Sequence, residues 1–124
     1  MRVFKTREFA RLIRKTDIAD RALSDAVARA GKGLVDAELG GGLIKQRLSR
    51  PGQGRSGGYR TVIALRAGDR AFFLYCFAKS DRGNIAADEL RSLREIASHW
   101  LGASPTQIED ELKAGRLIEV KHGN

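Results

Sequence analysis

The chain has 124 residues, 42% hydrophobic and 31% charged, with a formal net charge of +8. That describes one domain with a modest core, and the basic balance favours an anionic partner. No run approaches the ~20 apolar residues of a membrane span, the N-terminus lacks an apolar signal segment and the single Cys76 excludes an internal disulfide, so the cytoplasm is the expected compartment.

Val3 and Phe4 suit a short first strand over residues 1–5. Thr6 is the predicted N-cap of a helix to about Lys15, with Phe9, Leu12 and Ile13 on one face. Thr16 or Asp17 restarts the helix, and Ile18, Ala22, Leu23, Ala26, Val27 and Ala30 keep helical spacing until Gly31. Together these read as a helical hairpin with an alanine-rich face. Residues 34–39 are either a short strand or an extended linker ahead of Gly40, Gly41 and Gly42. In Leu43–Leu48, alternation puts Lys45 and Arg47 on one face and Ile44 and Leu48 on the other. Residues 49–58 are loop by composition, and Tyr59–Arg66 is a strand.

A turn over residues 67–70 leads into AFFLYCFAK (residues 71–79), which is apolar on both faces, the mark of a central, doubly covered strand. So short a turn makes this pair antiparallel. After a second turn at residues 81–84, a helix to about Leu101 directs Leu90, Leu93, Ala97, Trp100 and Leu101 inward. Ser104, Pro105 and Gln107 supply a capping box with proline at N1 for a short helix that Gly115 closes, with room for a last strand at 117–120. The predicted class is α+β. A helical hairpin packs on one face of a small antiparallel sheet of three or four strands, and C-terminal helices follow. One domain spans residues 1–124, with its core to about 101 and a helical extension over 102–124.

The positive charge is local. Residues 45–82 carry nine Lys/Arg against Asp69 and Asp81, a net +7, while the remaining 14 basic and 13 acidic groups leave +1. LIKQRLSRPGQGRSGGYR (residues 43–60) holds Lys45, Arg47, Arg50, Arg55 and Arg60 with no acid. Unpaired charges are rarely buried, so this reads as a basic strand–loop–strand edge for a polyanion such as RNA. Gly52 to Gly57 literally matches GxGxxG, but a dinucleotide fingerprint needs a strand before it and a helix after it, and here a strand follows. His99, His122 and Cys76 lack metal-ligand spacing, and no serine has a visible histidine partner. No metal or cofactor is implied. Any reaction falls to Lys, Arg and Tyr. Arginine stays protonated and acts as a clamp for developing phosphate charge. A lysine among other cations is a candidate base, and Lys45 and Lys79 fit that setting.

Three motifs carry a family resemblance: GGLIKQR (residues 41–47), GQGRSGGYR (52–60) and FAKSDRGNI (77–85). Together they resemble RelE/HigB-type toxins of toxin–antitoxin systems, most specifically over residues 40–97 and not beyond Gly102. The resemblance implies helices on a curved antiparallel sheet. It also implies a metal-independent endoribonuclease that cuts mRNA on the ribosome and leaves a cyclic phosphate, with a helix-turn-helix antitoxin as partner. By position, Lys45, Arg47, Arg60 and Lys79 match the family's catalytic cations, with Lys45 as base and Arg60 on the scissile phosphate. Arg50, Arg55 and Tyr59 are the expected RNA-binding residues. Ser80 stands where some relatives have a second cation. The family's C-terminal Tyr or His has no clear counterpart; Ile85 falls near its place, and Tyr59, Tyr75 and His122 are the alternatives. The competing readings are a non-catalytic relative that binds RNA, a ParE-like gyrase inhibitor, and a DNA-binding regulator.

Overall fold

The computed structural model describes residues 1–48, 58–80 and 84–121. Its elements run β1 (Arg2–Thr6), α1 (Arg7–Ile13), α2 (Asp20–Gly31), β2 (Ala37–Gly40), β3 (Leu43–Leu48), β4 (Tyr59–Arg66), β5 (Arg70–Ala78), α3 (Ala87–Leu101), α4 (Pro105–Lys113) and β6 (Leu117–Glu119). The expected loop at 49–58 and turn at 81–84 lie almost wholly outside the described residues, and Arg50 and Arg55 lie there with them.

Local chemistry explains most boundaries. Thr6 Oγ1 accepts the Phe9 N–H at 3.1 Å and starts α1. Ser104 and Gln107 exchange bonds of 3.1 and 2.7 Å at the start of α4, a reciprocal cap that satisfies two orphan donors. Thr16 closes the first helix rather than opening the second. Its hydroxyl donates to the Ile13 carbonyl at 2.7 Å, and α2 begins only at Asp20. Phe9 and Ile13 are buried as expected, but Leu12 is 47% exposed. The ambiguous segment before the glycines contains β2. Gly40 pairs with Leu43, so Gly41 and Gly42 form a two-residue hairpin turn with φ of 63° and 84°. Positive φ at both central positions is what such a turn needs to match strand twist, and glycine adopts it without Cβ strain.

The sheet has six strands in the order β2-β3-β4-β5-β1-β6. The meander β2 to β5 is antiparallel; β1 then joins β5 in parallel, and β6 adds antiparallel to β1. Three expectations are corrected. The sheet is larger than three or four strands, because both chain ends return to its far side. The helices also cover both faces rather than one. Phe9, Ile13, Leu23, Ala26 and Val27 of α1 and α2 pack with Val3, Ile44, Ile63, Ala71 and Phe73. Leu93, Ala97, Trp100 and Ile108 of α3 and α4 pack with Phe4, Leu43, Val62, Ala64 and Phe72 on the opposite face. A β5 strand apolar on both faces requires two covers, and Phe72 and Phe73 show the division, each fully buried on its own side. The N-terminal helical hairpin is not seen as such. The chain opens on a strand, and α1 rests on β5 while α2 rests on β3.

The segment after Gly102 supplies a helix and also an edge strand. Ile108, Leu117 and Val120 are buried, and Arg2 on β1 binds Glu119 with two hydrogen bonds (2.9 and 2.8 Å) and Glu109 with one at 2.9 Å.

Candidate functional site

On the face shared with α3 and α4, register alone sets the side chains in rows across β3, β4 and β5. One row is Leu43, Ala64 and Phe72; the next is Lys45, Val62 and Tyr75; the last is Arg47, Arg60 and Phe77. The first row is hydrophobic core. The other two carry half-buried cations and an aromatic pair, Tyr75 and Phe77, whose ring centroids are 6.0 Å apart.

Arg47 and Arg60 are directly opposite one another. The Arg47 peptide group bonds away from β4, to Asp36 and Arg29, so the pair belongs to the non-hydrogen-bonded class, in which Cα atoms approach to about 4.5 Å. Like charges directly opposite destabilise a strand pair. Burial sharpens the conflict. Among the described residues, three buried side-chain polar atoms have no hydrogen-bond partner, and two of them are Arg47 Nε and Arg60 Nη1. Buried donors are nearly always satisfied. An anion between the two guanidinium groups would supply acceptors and cancel the repulsion, and arginine's planar fork suits phosphate oxygens.

A register slip decides what joins them. Between Val62 and Ile63 the β4–β5 pairing skips Leu74. This bulge sends Tyr75 to the cation face, although strict alternation from Phe73 would have turned it to the α1/α2 side. Phe77 follows it, opposite Arg60. Lys79, exposed, sits one residue past β5, with its N–H donating to the Gly58 carbonyl at 3.3 Å.

Of the expected site residues, then, Lys45, Arg47 and Arg60 share one surface, and Lys79 lies at the end of the strand that borders it. Tyr59 does not join them. It pairs with Leu48 and packs on the α1/α2 core at the opposite face. Tyr75 takes the aromatic place on the cation face; nothing in the apolar run AFFLYCFAK signals the bulge that turns it there. Cys76 faces the α1/α2 core, where burial pushes its thiol up to about 12. Among the described residues, no three His, Cys, Asp or Glu side chains gather as metal ligands would, and no helix is long and apolar enough to cross a membrane.

The family model for the RelE toxin of the RelE / RelB toxin-antitoxin system matches residues 1–120. The chain belongs to the RelE toxin family. The match runs past Gly102 and so takes in α4 and β6, further than the three sequence motifs reach. No curated protein matches the chain. Membership implies that this RelE-family chain works as the toxin of a toxin–antitoxin system, with a cognate antitoxin as partner.

Proposed function

We propose that this RelE-family chain is a ribosome-dependent mRNA endonuclease that stops translation in the cytoplasm by metal-independent phosphodiester cleavage. The observation that carries the reading is the Arg47–Arg60 pair, two arginines directly opposite across β3 and β4, each with a buried donor that has no partner among the described residues. In the reaction, the ribose 2′-OH loses its proton and its oxygen attacks the neighbouring phosphorus. The 5′-oxygen of the next nucleotide leaves and takes up a proton, and a 2′,3′-cyclic phosphate remains. Charge grows on the phosphate oxygens in the transition state, and Arg47 and Arg60 hold that charge. Lys45, one row away on the same face, is the candidate base, and Lys79 adds a cation at the strand end. Tyr75 is the candidate for the aromatic role that has no counterpart near Ile85. Arg50 and Arg55 grip RNA backbone, and the cognate antitoxin, a helix-turn-helix protein, blocks the toxin.

Induced expression is the direct test. Growth arrest with mRNA ends that appear only when ribosomes engage the message supports the reading; normal growth with abundant folded protein would sink it. Binding without cleavage is separated by Arg60→Ala, which abolishes the new mRNA ends in an endonuclease but removes only about one phosphate contact's share of the salt dependence from a simple RNA binder. Loss of DNA supercoiling in induced cells would point instead to gyrase.

A further inference from the structure

The support behind Arg47 is built from side chains. β2 runs out against β3 at Ala37, which pairs with Lys45. Arg47, two residues on, turns its N–H and carbonyl to the same side, because alternate residues of a central strand bond to opposite neighbours. In place of a strand, Asp36 Oδ2 accepts the Arg47 N–H at 2.6 Å, and Arg29 Nη2, from α2, donates to the Arg47 carbonyl. Gln46, fully buried between the two cations in sequence, points to the opposite face. Its Nε2 donates to the carbonyls of Ala26 at 2.9 Å and Leu34 at 3.1 Å, and its Oε1 accepts the Asp36 N–H at 2.9 Å. Asp36 is therefore held through its backbone and holds Arg47 through its carboxylate. Both bonds to the Arg47 peptide involve a charged group, the stronger class.

We propose that Asp36 and Arg29, braced by Gln46, are positioning residues that set Arg47 against Arg60. The inference rests on the reading of this face as a phosphate site. An ordinary strand edge would leave the end of β3 free to fray, and a displacement of about 1 Å in a reacting group can reduce a rate a hundredfold. The clamp acts on the peptide and leaves the guanidinium group available to a ligand.

Two readouts on the purified full-length chain test it. In single-turnover cleavage of ribosome-bound mRNA, Asp36→Ala lowers the maximal rate about tenfold or more while the half-saturating concentration stays within about twofold. Asp36→Asn keeps an acceptor oxygen and recovers most of that loss, a rescue that general destabilisation would not produce. Titration with inorganic phosphate, followed at the Arg47 Nε–H resonance, needs no cleavage; there Asp36→Ala raises the midpoint about threefold or more. If Asp36→Ala matches the wild type in both measurements, the clamp is wrong. Wild-type protein that binds phosphate at Arg47 but never cuts mRNA overturns the endonuclease instead. In that event the phosphate midpoint decides the clamp, which stands if Asp36→Ala shifts it and falls if it does not.

Discussion

At the β1–β6 end of the sheet, Arg2 binds Glu119 through two nitrogens and Glu109 through a third, and its guanidinium lies 5.0 Å from the centre of the Phe4 ring. Hydrogen bonds to Glu119, then Glu109, hold its proton even more firmly than usual. Arg116 is similarly paired with Glu111 by bonds of 2.7 and 2.8 Å. At the β3–β4 end, Arg47 and Arg60 face each other, with buried donors left unpartnered among the described residues. The same side chain thus appears in two conditions within one sheet. Where Arg2 ties β1 to α4 and β6, carboxylates satisfy it. Where an arginine is left unsatisfied against another arginine, stability alone gives no reason for it, and a ligand does.

The contrast can be broken from either end. The largest effect is expected from ending the chain at Gly102. Ile108, Leu117 and Val120 leave the core, each contributing about 1.5–3 kcal/mol, against a typical domain stability of about 5–15 kcal/mol. Circular dichroism should show a largely unfolded protein; a cooperative melt near that of the full chain would make α4 and β6 dispensable.

Next comes Arg60→Ala. Loss of one transition-state donor lowers cleavage on the order of 10²–10³-fold, while the melting temperature holds or rises as like-charge repulsion is relieved. A marked fall in stability would mean that Arg60 is structural after all.

Arg2→Met probes the opposite end. It should reduce stability by about 1 kcal/mol or less, since exposed ion pairs contribute little, and leave the cleavage rate unchanged; a lost rate would erase the distinction between the two ends.

The smallest effect concerns Cys76. Its thiol, raised by burial to about 12, should resist alkylation in the native protein at pH 8 and react once the chain is unfolded. The unfolded thiol ionises near its ordinary value of 9.0 and the folded one does not. The unfolded state therefore binds fewer protons in that window, and stability declines as pH rises from about 9 towards 12. Rapid native labelling at pH 8 would contradict the burial.

Much of this was legible along the chain. Thr6 and Ser104 announce helix starts because capping is a local reaction between a side chain and a peptide N–H three residues away. Period-two alternation correctly put Lys45 and Arg47 on one face of β3, and the doubly apolar β5 proved central. Thr16 misled because its hydroxyl donates back to the Ile13 carbonyl and accepts the Ile18 N–H at 3.2 Å, a turn between the helices rather than a cap on α2, which starts at Asp20. The face of Tyr59 was not legible, because in sequence it adjoins Arg60, whereas across the sheet it pairs with buried Leu48 and packs on the α1/α2 core.

Sequence alone determined most element types, β2 excepted, the concentration of cations between residues 45 and 82, and the family, because propensity, capping and motif spacing act over a few residues. Tertiary structure alone decided that β1 and β6 complete the sheet, that two helical layers enclose it, that Arg47 opposes Arg60, and that the slip at Val62/Ile63 brings Tyr75 to their side. Those are questions of register between strands distant in sequence. A shift of one residue exchanges the two faces of a strand, and no local pattern in an all-apolar run records which register the packing will select.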